Sequence, residues 1–258
     1  MIERYKKYFV RPKITGFGPK SAFFVTLLIY FGSQLFAGIL LGLYFGLQGK
    51  TTEQAVQTIN NSVTSQFIFI LIVEVVSLVA LYLFVRYRSI SLKDLGLTKP
   101  NLNNLLLALP VFAVYFAVLI VLLSVLKPLL PGLDFEQEQQ IGFDSARGAA
   151  LVLVFISLVI LPALVEEILV RGFLYGGFRK SFNKKTAALL ASFIFGIAHL
   201  QLGSGEPPLW VAAIDTFVLS IALIWLREKT GNIWAGVGVH MIKNTLAFLS
   251  IFVFGAFI

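Results

Sequence analysis

The chain has 258 residues, of which 58% are hydrophobic and only 13% charged, and its mean hydropathy is +0.87. A soluble globular domain is roughly 45–50% apolar and about 25% charged, so composition excludes an ordinary water-soluble fold, and disorder with it. With 25 Phe and long uncharged runs, the net charge of +8 marks cytoplasmic loops rather than a nucleic-acid surface, and the absence of cysteine excludes disulfides, thiol catalysis and zinc–thiolate sites.

A helix that crosses a bilayer needs ~20 mostly apolar residues. Seven segments qualify, the fifth of them short: Ser21–Leu47, Ser65–Val85, Asn103–Leu126, Ala149–Phe178, Thr186–Leu200, Leu209–Leu226 and Ile233–Ile258. The first carries Gly38, Gly42 and Gly46 at the spacing of helix–helix packing. It also follows a basic stretch, but it is too long for a signal-peptide core and reads as an uncleaved span. The second contains Glu74, without a visible partner. The fourth contains Pro162, where a kink is expected.

Basic residues fall in alternate connections. They occupy the N-terminal tail, then Arg86, Arg88, Lys93 and Lys99, then Arg179, Lys180, Lys184 and Lys185, then Arg227 and Lys229. The intervening connections carry Glu53, Asp134, Glu136, Glu138, Asp144 and Glu206. This alternation predicts a cytoplasmic N-terminus. Trp210, Trp225 and Trp234 fall at helix ends, where interface anchors belong. The expected fold is an all-α, polytopic transmembrane helix bundle of about seven spans, with room for an eighth helix. Residues 1–258 form one membrane domain.

An ionisable group at a helix centre costs at least ~2.5–3.5 kcal/mol, so those that persist are usually paired or functional. The fourth span holds Glu166, Glu167 and Arg171. Glu167 and Arg171 are four apart on one face and can neutralise each other. Glu166 is turned about 100° away and has no partner on its own helix. Both histidines of the chain, His199 and His240, lie in spans, and Asn244 shares a face with His240. Gly236 and Gly238 precede His240 and leave room for a backbone or a substrate. Asp215 lies near a helix end, where water can reach it, and Lys243 is expected to snorkel.

Helical rise puts Glu166, His199 and Asn244 each ~20 Å from the basic end, and His240 ~13 Å from it. Three spans can therefore bring these side chains into one layer. A zinc HExxH helix is absent, because the histidines are 41 positions apart. Ser204, in a short loop, has no good partner for a serine–histidine dyad. What remains is glutamate–histidine chemistry: a carboxylate and an imidazole to activate water, and a second imidazole and an amide to stabilise an oxyanion.

Glu166-Glu167-xxx-Arg171, Phe195-xxx-His199 and His240-xxx-Asn244 resemble the three motifs of the CPBP (CAAX protease and bacteriocin-processing, or Abi) intramembrane protease family. Residues 149–249 carry the resemblance, and the Leu92–Leu97 stretch also looks like a segment common there. The resemblance implies a helix-enclosed cavity, open towards the cytoplasmic side, that hydrolyses peptide bonds of membrane-associated substrates, prenylated or leader-type. It implies Glu166 with His199 as water activators, His240 with Asn244 as oxyanion stabilisers, and Glu167 with Arg171 as orienting groups. Glu166, His199 and His240 are also a possible zinc set, and ligand and acid–base roles both stay open. A prokaryotic cell membrane is the expected location, the lipid bilayer and a membrane peptide or protein the expected partners, with no nucleic acid. The alternatives are a non-catalytic scaffold or immunity protein of the same family, or a proton-coupled transporter.

Overall fold

The computed structural model describes residues 16–135, 142–201 and 207–255. Among them are eight helices and no strand. They are α1 (Pro19–Leu47), α2 (Thr52–Asn61), α3 (Val63–Tyr87), α4 (Leu102–Leu129), α5 (Ala150–Phe178), α6 (Lys184–Ala198), α7 (Trp210–Thr230) and α8 (Trp234–Val253). Ser204 and the acidic Glu136, Glu138 and Glu206 lie outside the described residues.

Six of the helices are long and apolar enough to cross a membrane: α1, α3, α4, α5, α7 and α8. The seven expected spans thus become six, because α6 has 15 residues where a crossing needs ~20. Its start is set by Asn183, whose side chain accepts from the Thr186 amide. Its end falls at His199, so the motif histidine sits on a helix terminus. The expectation also missed α2, a connecting helix with a reciprocal Thr51–Gln54 capping box.

Many apolar side chains point outward, among them Leu28, Phe31 and Leu35 on α1 and Leu109 and Val121 on α4. In a multi-pass membrane protein these faces meet lipid, where intrahelical bonding satisfies the backbone. Gly38, Gly42 and Gly46 belong to this open surface: a Cβ at any of them would meet no atom within 4 Å. They do not mediate helix packing within the chain, as their spacing led us to expect.

The basic connections meet at one end of the bundle. Arg179 and Lys184 both pair with Glu228, at 3.3 and 2.7 Å. Lys180 lies over the Phe17 ring, and Arg88 donates from Nε to the Gly16 carbonyl. The connection after α3 is a wedge at this end. Leu95 is buried, the amide of Ile233 donates to Gly96 O, Trp234 Nε1 donates to Thr98 O, and Arg227 donates to Asp94 O. The wedge also seats α5, because the Leu95 carbonyl lies where a Cβ on Gly172 would come within 2.8 Å. Glycine at 172 is what lets the two backbones meet.

Candidate active site

Helix α5 is not uniformly wound. Residues Ile156–Ile160 and Glu167–Leu174 are π-helical. The Leu161 amide reaches back five residues to Ile156 O, and the Tyr175 amide to Val170 O. Such wide turns inside α-helices recur at functional sites. Pro162 lies between the two stretches and has no N–H to give the Leu158 carbonyl. Asn244 Nδ2, on α8, donates to that carbonyl instead, at 2.9 Å. The expected break in α5 is thus bridged by one of the motif residues.

Glu167 and Arg171 have fully buried side chains, with Arg171 Nη1 2.9 Å from Glu167 Oε1. The contact is an ion pair without hydrogen-bond alignment, since no guanidinium nitrogen has a hydrogen-bond partner. The Arg171 guanidinium instead lies 4.3 Å over the Phe195 ring, a cation–π arrangement. Glu167 Oε1 also faces His240 Nδ1 at 3.2 Å. Glu167 therefore fixes the imidazole through Nδ1, as a carboxylate beside a histidine commonly does.

Gly236 makes this possible. A Cβ there would lie 2.9 Å from Glu167 Oε2. The space left by the glycine on α8 is thus taken by a carboxylate of the same chain, not by a substrate. Gly238 gives room to Ala108 in the same way.

The other ring nitrogen of His240, Nε2, lies 3.8 Å from Glu166 Oε2, beyond hydrogen-bond range. That oxygen is buried and has no hydrogen-bond partner, although the Glu166 side chain as a whole is 29% exposed. His199 engages its Nδ1 with the carbonyl of Phe195, 2.8 Å away, and its ring packs edge-on against Phe195. This assigns the proton to Nδ1 and leaves Nε2 free as an acceptor. His199 is close enough to Glu166, His240 and Lys243 for their charges to interact.

Glu166, His199, His240 and Asn244 all line one cavity of about 230 Å³. The structure therefore brings the six expected residues together, four at the cavity and two, Glu167 and Arg171, packed behind it. The lining belongs to the helix halves remote from the Arg179, Lys184 and Arg227 end, reaching Leu158 on α5 and Phe252 on α8. The cavity does not lie towards the basic end, as the resemblance implies for a cytoplasmic opening. Its apolar walls there come from residues on either side of the Pro162 interruption and from the last turns of α8.

Residues 148–246 match the family model described as Rce1-like, type II CAAX prenyl endopeptidase Rce1-like. The matched segment, less than half of the chain, is similar to the CPBP, or CAAX protease, family and supports that resemblance. No curated protein and no solved structure matches the chain. All six motif residues lie within the matched segment, and the six long apolar helices fit an integral, multi-pass membrane protein.

Charged groups outside the three motifs also find partners in the structure. Asp215 is half-buried and has protein partners: it takes a hydrogen bond from the Tyr115 hydroxyl, and its Oδ2 lies 3.2 Å from Lys243 Nζ. Lys243 does not snorkel away; it lines the cavity. Neither contact has a local sequence signal, because Tyr115, Asp215 and Lys243 come from three helices. Glu74 on α3, for which the sequence shows no partner, lies within electrostatic range of Glu166. Among the described residues no three His, Asp or Glu side chains are grouped closely enough to hold a metal ion.

Proposed function

We propose that the protein is an intramembrane endopeptidase that hydrolyses peptide bonds of membrane-associated substrates, prenylated or leader-type, by Glu/His-activated water, with residues 149–249 as its catalytic core and the basic end facing the cytoplasm. The convergence of Glu166, His199 and His240, from three helices, on one cavity carries this reading. Glu166 brings an unpartnered carboxylate oxygen, and His199 a free Nε2, to the same space.

A water between them gives its proton to the Glu166–His199 pair as its oxygen attacks the substrate carbonyl carbon. The negative charge that develops on the carbonyl oxygen meets His240. As an imidazolium, His240 donates from Nε2 while Glu167 holds Nδ1–H. Asn244 spends one of its two amide N–H groups on Leu158 O and has one left for the same oxyanion. Collapse of the intermediate breaks the C–N bond, and the proton taken from water passes to the leaving amine. Glu167 and Arg171 hold His240 in register throughout.

Alanine at Glu166 or at His199 should abolish cleavage while the protein still folds. Cleavage is read as peptides lost from a membrane-peptide profile on substitution. Full activity in either variant refutes the assignment.

A further inference from the structure

The last turn of α6 is tied to a helix outside the matched segment. An α-helix leaves its last four carbonyls without intrahelical donors, and on α6 these belong to Phe195, Gly196, Ile197 and Ala198. His199 serves two of them, with Nδ1 at 2.8 Å from Phe195 O and its amide donating to Gly196 O at 3.0 Å. The Leu200 amide donates to Ile197 O at 3.1 Å. The fourth donor comes from α1: the Tyr30 hydroxyl donates to Ala198 O at 3.3 Å. Tyr30 also lies within electrostatic range of Glu166 and Glu74. One side chain of α1 thus meets both elements that carry the water-activating groups, α6 by a hydrogen bond and α5 by charge.

The place of this tyrosine on α1 argues against an interface anchor. Tyr30 lies ~17 Å from Pro19 by helical rise, in the apolar middle of α1 and not at a membrane boundary, where aromatic belts form. A ring kept for packing alone needs no hydroxyl, and α1 has Phe23, Phe24, Phe31, Phe36 and Phe45. A hydroxyl at this depth is costly unless bonded, and its acceptor is the carbonyl next to His199.

His199 caps α6, with φ −95° and ψ 3°, and helix ends fray. Its Nδ1 is spent on the last turn itself, so the place of Nε2 follows the backbone of that turn. Gly196 seats the turn against α7, where a Cβ would come within 2.9 Å of Ala213 O. Tyr30 holds the same turn from α1, through the one carbonyl that His199 and Leu200 do not serve.

We propose that Tyr30 is a positioning residue: its hydroxyl, bonded to Ala198 O, fixes the end of α6 and with it the place of His199 Nε2 relative to Glu166. The proposal rests on the endopeptidase reading for its meaning in catalysis, but its first test needs no turnover. The chain has two histidines, so protein labelled with 15N-histidine and purified in micelles gives two sets of imidazole NMR signals. The set lost in His199→Gln identifies His199. Tyr30→Phe should move or broaden that set and leave the His240 set in place. Tyr44→Phe, near the far end of α1, should change neither. p-Aminophenylalanine at position 30 keeps a donor in the same place and should restore the His199 signals. In the membrane-peptide profile Tyr30→Phe should slow cleavage about ten-fold or more, because misplacing a reacting group by ~1 Å can cost about 10²-fold.

An unmoved His199 set in Tyr30→Phe overturns the proposal, and so does cleavage at the full rate by that variant. Equal change at both histidines, or failure of Tyr30→Phe to fold, assigns the hydroxyl to the scaffold and overturns it as well. Failure of the hydrolase reading shows itself separately: the unsubstituted protein then cleaves no membrane peptide, while the His199 signals still depend on Tyr30.

Discussion

The adjacent carboxylates Glu166 and Glu167 should respond in opposite ways to the same conservative change, replacement by glutamine. Glu167 is the counter-charge of Arg171, and both side chains are 0% exposed. None of the arginine nitrogens has a hydrogen-bond partner, so Glu167→Gln leaves a cation inside the bundle with only the Phe195 face and the longer-range charge of Glu166 to answer it. A cation–π contact contributes about 0.5–2 kcal/mol, whereas breaking a buried ion pair from one side costs about 3–5 kcal/mol. The balance is a destabilisation of about 3 kcal/mol. Glu166 has no ion-pair partner within hydrogen-bond reach and faces the cavity, so Glu166→Gln should change stability by less than ~1 kcal/mol. Equilibrium unfolding in mixed micelles measures both, alongside cleavage of membrane peptides. Activity should vanish in Glu166→Gln with the fold untouched, and stability should fall in Glu167→Gln. If the two variants lose the same stability, or if Glu167→Gln is neutral, the assignment of one carboxylate to structure and the other to chemistry is wrong.

Gly172→Ala drives a Cβ to 2.8 Å from the Leu95 carbonyl, and overpacking of this kind costs about 1–3 kcal/mol; a lowered unfolding temperature with faster proteolysis of the Ser91–Thr98 connection is the expected result. Asn244→Leu strips the Leu158 carbonyl of its donor, at about 1–3 kcal/mol for a buried unsatisfied group, and a variant as stable as the parent would show that Asn244 does not bridge the Pro162 interruption. In the proposed reaction Glu166 and His199 activate water by proton transfer alone, so prolonged dialysis against a chelator should leave peptide cleavage intact; a loss reversed by added zinc would contradict the acid–base assignment.

Much of the site was legible because charge in a membrane is expensive. Glu166, Glu167, Arg171, His199 and His240 stand out of apolar runs, and helical rise alone placed them at overlapping depths. The internal ion pair of Glu167 and Arg171 followed from their spacing. The partner of Asn244 did not, because it is a backbone carbonyl orphaned by a proline on another helix. The role of Gly236 was half visible: a small residue signals close approach but not what approaches. The Tyr115–Asp215–Lys243 linkage was invisible, since hydrogen bonds across helices leave no periodicity behind. For the fold, hydropathy located six helices long enough to cross and a seventh apolar run, α6, that is shorter. An apolar run that packs against α7 and ends inside the bundle has the composition of a span without its length.

The wide turns of α5 also constrain how this stretch can change length. Loss of one residue between Glu167 and Gly172 can be absorbed by the wide turn reverting to ordinary winding, which keeps the downstream face of α5, and Gly172 with it, towards Leu95. Loss of one residue from Leu161–Glu166, where the winding is already ordinary, rotates everything downstream by about 100°. Descendants of this chain should therefore tolerate a single-codon deletion within the wide turn more readily than one in the ordinary turn before it.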